Sequence, residues 1–157
     1  MFNHVLLCTH GTEGAKKAEA FIFQQMAEDA ALKVTVLTIL DKDWREMTGD
    51  DWLNSSKTHT TFLDHVEEQV SSEIGEEWQR IRESWPMAER ADFIQRTGGI
   101  ADTMTRVAAE LECDLIAIGP CYVSKGFLHP HPGKGLHDTL KNKELHPLLP
   151  CPLLIAP

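Results

Sequence analysis

The stretch that decides the fold is Gly98–Gly119, GGIADTMTRVAAELECDLIAIG. Two glycines break the chain. Ile100, Met104, Val107, Ala108 and Leu111 then recur at the three- and four-residue spacing of one helix face. Asp114–Gly119 (DLIAIG) follows as a short apolar run closed by glycine, the pattern of a strand buried on both faces. A helix that hands over to such a strand is the second half of a β-α-β unit. On its N-terminal side Ala88–Arg96 is the strand candidate that feeds the helix.

The same alternation extends both ways. Phe2–Thr9 (FNHVLLCT) is an apolar run ending at Gly11-Thr12, a strand and a turn, and Thr12 can cap a helix through Ala30. Ala18, Ile22, Met26 and Ala30 give that helix its apolar side. Lys33–Leu40 (KVTVLTIL) is rich in β-branched residues and reads as a second strand. After an irregular polar connection over 41–57, the spacing of Phe62, Val66, Val70, Ile74, Trp78, Ile81 and Trp85 predicts a long helix that Pro86 stops. The chain closes with a helix near Gly135–His146 and a strand at Pro152–Ala156. The order β-α-β-α-β-α-β-α-β predicts an α/β fold, a doubly wound parallel sheet of five strands with helices on both faces. The 157 residues suit one domain spanning 1–157, with an expanded loop over 120–136.

Fifteen Lys and Arg against twenty-four Asp and Glu leave a net charge of −9, which argues against gripping nucleic acid or an anionic membrane. The charge is uneven. Asp41–Gln95 holds fourteen acids and six bases, whereas Gly119–Pro147 holds four lysines against Asp138 and Glu144. No apolar run approaches the roughly 20 residues of a membrane span, and Val5–Cys8 is too short for a signal peptide. Cys8, Cys113, Cys121 and Cys151 form no CxxC pair and read as reduced thiols, so a cytoplasmic protein is expected.

In three places, in correct order, the chain resembles the universal stress protein family. FNHVLLCTHGTEGAKKAEAF (2–21) is similar to that family's first strand and helix. Gly98, Met104, Ala108 and Asp114–Gly119 stand at the spacing the family uses before its nucleotide loop. Pro150-Cys151-Pro152-Leu-Leu-Ile resembles its terminal strand. The resemblance implies a Rossmann-like, adenine-nucleotide-binding fold, a stress-response role without catalytic turnover, ATP or AMP as ligand, and a homodimer paired through the C-terminal strand Pro152–Ile155. In ATP-binding members the fourth strand is followed by G-x-x-G, nine residues, then G-S or G-T. Here Gly119 is kept, Tyr122 stands in the second glycine's place, Gly133-Lys134-Gly135 follows without G-S or G-T, and His10 replaces the family's aspartate.

Ligands of doubly wound sheets lie outside the carboxyl ends of strands, where the strand order reverses. In this family's order that point falls between strands one and four. The candidate nucleotide-binding residues are therefore Thr9, His10, Gly11, Thr12, Ile39, Gly119, Gly133, Lys134 and Gly135. Backbone amides at Gly11 and Thr12, with Lys125 or Lys134, would hold an anion, and Ile39 and Leu40 would wall an aromatic base. The alternative is that the longer loop fills the crevice with its own side chains.

Cys121, His129 and His131 are a candidate metal set, since thiolate and imidazole suit zinc or copper. Their spacing matches no strong zinc pattern, and Pro120, Pro130 and Pro132 equally suit a rigid loop of solvated histidines, so no metal cofactor is expected. No GxxxxGK[ST] loop or nucleophile elbow is present, and no enzyme activity is expected. The readings are a binding or sensor module for an adenine nucleotide or small anion, a ligand-free dimeric interaction module using the acidic helix around Glu67–Glu77 or Trp44 and Trp52, and a metal or redox sensor through Cys121 and the histidines.

Overall fold

The apolar runs read from the sequence become the middle of a sheet. β1 (His4–Cys8) and β4 (Leu115–Ile118) are buried at every position, as strands covered on both faces must be. The computed structural model describes residues 2–9, 13–41, 56–119 and 148–156. Around these two strands lie α1 (Glu13–Glu28), β2 (Lys33–Asp41), α2 (Ser56–Ser84), β3 (Asp92–Gly98), α3 (Ile100–Glu110) and β5 (Leu153–Ile155). The strands form one sheet in the order β3-β2-β1-β4-β5, and every neighbouring pair is parallel. The expected five-stranded, doubly wound α/β architecture is therefore observed.

Alternation along the strands divides the core in two. Val5 and Leu7 of β1, Val34 and Val36 of β2, and Leu115 and Ala117 of β4 meet Ile22, Phe23 and Met26 of α1 and Ile81 of α2. Leu6, Leu37, Ile116 and Ile118 face the other way onto Met104, Val107 and Ala108 of α3. Helices thus cover both faces. Each fully buried aliphatic side chain contributes about 1.5–3 kcal/mol relative to leaving it in water. Of the α3 stripe predicted from the sequence, Met104, Val107, Ala108 and Leu111 pack in this core.

Element ends show local logic. α3 stops in a Schellman arrangement, with the Glu112 amide donating to the Ala109 carbonyl and the Cys113 amide to Ala108. Glu112 takes the left-handed conformation this requires, at φ 52°. Arg90 donates to the carbonyls of Met26 and Ala30, covering the acceptors left open at the C-terminal end of α1.

The third strand starts later than the sequence suggests. Pro86–Arg90 forms a 3-10 helix, and β3 runs from Asp92 to Gly98. Pro86 pre-sets the first turn, and the Ala88 amide donates to Trp85 O and the Ala91 amide to Ala88 O. Ala88 is then buried against α1 and β2, so its apolar character reflects packing from a turn. The connection read as 41–57 is shorter at both ends, since Asp41 belongs to β2 and Ser56 to α2. Its remainder, the expanded loop at 120–136 and the helix expected near Gly135–His146 lie outside the described residues.

Candidate functional site

The strand order reverses beside β1, with β2 and β3 on one flank and β4 and β5 on the other. Cys8 ends β1 opposite Ile118, which ends β4. Thr9 and Gly119, the residues that follow, therefore stand next to each other at the carboxyl edge of the sheet. In open α/β sheets, ligands are taken at such a reversal, outside the carboxyl ends of the strands.

Thr9 is 3% exposed and fully engaged. Its amide donates to Leu37 O at 3.0 Å, and its carbonyl accepts from Thr38 Oγ1 at 3.1 Å. Its hydroxyl donates to Glu19 Oε1 at 2.5 Å. Among the candidate ligand residues it is thus one whose side chain serves to hold the end of β1. Gly119 has a packing reason for being glycine. A Cβ there would overlap the carbonyl of Gly14 and the amide of Ala15, in the first turn of α1. The bare backbone lets α1 close onto the end of β4 at this edge of the sheet. Ile39, half-buried near the end of β2, supplies an apolar flank.

The structure thus brings Thr9, Gly119 and Ile39 to one edge. His10, Gly11, Thr12, Gly133, Lys134 and Gly135 lie outside the described residues, as do Cys121, His129 and His131. So do Trp44, Trp52 and Lys125. Among the described residues no group of three or more His, Cys, Asp or Glu could hold a metal ion. The three described cysteines are free thiols. Burial pushes Cys8 up to about 12, with Cys113 adding to the effect, and pushes Cys113 up to about 11, so both are unreactive near neutrality.

The site residue that the sequence reading missed is Glu19. It lies on α1, is 1% exposed, and places its second oxygen, Oε2, 2.6 Å from the Arg80 guanidinium of α2. Arg80 also pairs with Glu77 one turn earlier. Two carboxylates on one guanidinium hold its charge firmly, with the Glu77 hydrogen bond the largest influence, against the opposing effect of burial. A signal was present. Glu19 interrupts the apolar stripe Ala15, Ala18, Ile22, Phe23, Met26, and a charge in such a stripe needs a partner.

For a ligand in the crevice, Ile39 gives an apolar flank, while the bare side of Gly119 is taken up by the first turn of α1. Thr9 offers such a ligand no side-chain hydrogen, because Glu19 holds it.

Fold and crevice together define a doubly wound α/β protein of the kind that takes ligands at the carboxyl edge of its sheet. The family model for universal stress proteins matches residues 1–120, and the chain belongs to that family. The hypothetical protein MJ0577 has a similar structure, with a TM-score of 0.69 at 14% identity over 99% of this chain and 96% of its own. A universal stress protein solved in complex with cAMP gives 0.58 at 12% identity, over 98% and 96%. A universal stress protein family member from Arabidopsis thaliana, solved with AMP bound, gives 0.50 at 11% identity, over 98% and 90%. At these identities the likeness is one of fold. No curated protein sequence matches the chain.

Proposed function

We propose that the protein is a binding module that takes an adenine nucleotide, ATP or AMP, in the crevice between the ends of β1 and β4, and that it acts through occupancy without turnover. The observation that carries this reading is the reversal of strand order beside β1, with the bare backbone of Gly119 against the first turn of α1. Two proteins of the same fold, solved with cAMP and with AMP, support adenine as the base. The buried free thiols suit the reducing cytoplasm in which we place it. Titration calorimetry and thermal melting with ATP and AMP, with and without Mg²⁺, test the reading. Binding should raise the melting temperature, by the equivalent of about 2.7 kcal/mol when ligand exceeds Kd a hundredfold. No heat and no melting shift at millimolar nucleotide would sink it.

We further propose that the module works as a homodimer through its C-terminal strand. Among the described residues β5 is the last strand on its side of the sheet; its Ile155 is 48% exposed, and Leu148 shortly before it is 63% exposed. An open edge with apolar side chains invites a second strand.

A further inference from the structure

We infer that Glu19 is a positioning residue of the crevice: one carboxylate oxygen holds Thr9 at the end of β1, the other holds Arg80 of α2, and the state of the crevice is thereby tied to the seating of both helices. The nucleotide part of this inference rests on the function proposed above.

The starting point is cost. A carboxylate that is 1% exposed has lost its water, and only strong, well-aimed partners offset that loss. An apolar residue would fill the same place on the stripe between Ala18 and Ile22 without any such demand. What the carboxylate adds is reach to two other elements. Thr9 Oγ1 donates to it at 2.5 Å and Arg80 at 2.6 Å. Both bonds are charge-assisted, the stronger class.

The placement gives those bonds a use. α1 borders the crevice by its first turn, where Gly14 and Ala15 touch Gly119. Glu19 stands five residues further along, about 7.5 Å at helical rise. The first turn is thus located from two sides, by the glycine contact with β4 and by the bond to Thr9. Thr9 itself is fixed to β2 through Leu37 and Thr38, so the carboxylate refers α1 to the sheet at the crevice rather than to the core in general. On the far side, Arg80 sits between two aromatic anchors, one in α2 and one immediately after it. Trp78 stacks on Phe93 of β3 and Trp85 on Phe23 of α1. A shift of α1 at the crevice therefore has a direct polar route to α2.

The test compares wild type, Thr9→Val, Thr9→Ser and, as a control for general destabilisation, Ile22→Val, all as full-length chains. Hydrogen exchange of the amides over Gly14–Ala18 is read without ligand, and the affinity for AMP is read by calorimetry. Losing the hydroxyl in Thr9→Val should speed exchange about ten-fold and weaken AMP about ten-fold, the scale of one charge-assisted hydrogen bond. Thr9→Ser should restore both, and Ile22→Val should change neither at an equal loss of melting temperature. If Thr9→Val matches the Ile22→Val control in exchange, or if exchange rises while AMP affinity holds, the inference is overturned and the nucleotide reading stands. If wild type binds neither ATP nor AMP while exchange responds as expected, the nucleotide reading falls and the positioning of α1 by Glu19 is supported on its own.

Discussion

His4 shows how much one buried ring can decide. It is 9% exposed at the start of β1, with Nδ1 3.0 Å from Leu111 O and Nε2 2.8 Å from Thr35 Oγ1. A carbonyl only accepts, so Nδ1 carries the hydrogen, and the neutral ring accepts from the threonine hydroxyl at Nε2. Burial lowers its pKa from the ordinary 6.5, and Lys33 lowers it further, against the hydrogen bond to Leu111 and the charges of Asp114 and Asp92. The unfolded chain therefore binds the proton more readily. The stability contributed is complete above about pH 6.5 and is lost as pH falls through that value toward the folded pKa. Melting temperature should drop between pH 7.5 and 5.5. His4→Gln should start about 1–2 kcal/mol less stable at pH 7.5 and show a flatter decline. Equal slopes for the two proteins would show that other groups carry the effect. Beside it, Asp114 accepts hydrogen bonds from the Asn3 and His4 amides and from the Asn3 side chain, so β1 and β4 are tied at the end opposite the crevice.

At the scale of elements, β4 and α1 meet through the absence of a side chain. Because a Cβ on Gly119 would meet backbone atoms of Gly14 and Ala15, the conflict cannot be relieved by a rotamer change. Gly119→Ala should cost about 2–4 kcal/mol in chemical denaturation, at the upper end of overpacking penalties. It should do so without nucleotide present. A loss of nucleotide affinity with unchanged stability would instead mean that the glycine serves the ligand and not the packing. The same elements show what a sequence discloses. β1, β4 and α3 were legible because an apolar run or a periodic stripe is a local property, set by which faces each element buries. The start of β3 was not. Met87 and Ala88 are apolar for the sake of a 3-10 turn packed on α1, and composition cannot separate a buried turn from a strand. Glu19 was visible as a charge in an apolar stripe, but its partner lies 61 residues away on α2, and nothing in the chain's local pattern connects the two.

For the whole molecule, the sheet has two unlike edges. β3 ends one side with Asp92 and Arg96 exposed, and charges on an edge discourage further strands. β5 ends the other with Ile155. A homodimer formed there should sediment as twice the chain mass of 17.6 kDa, and Ile155→Lys should yield a folded monomer. Dimers that persist in that variant would place the interface elsewhere. The crevice itself was legible only in part. The sheet order expected from the family resemblance put Thr9, Ile39 and Gly119 at one edge, but it could not say that Thr9 spends its hydroxyl on Glu19. That follows from three elements meeting at one carboxylate. This meeting also constrains how the chain can change. Positions 9, 19 and 80 form one unit of inheritance, because removing Arg80 first strands a buried charge, at a cost of about 3–5 kcal/mol, while replacing Glu19 first by an apolar residue leaves Arg80 its Glu77 partner and costs only the buried Thr9 hydroxyl its acceptor, about 1–3 kcal/mol. The order of substitution, more than the identity of any one of them, decides which descendants of this sequence still fold.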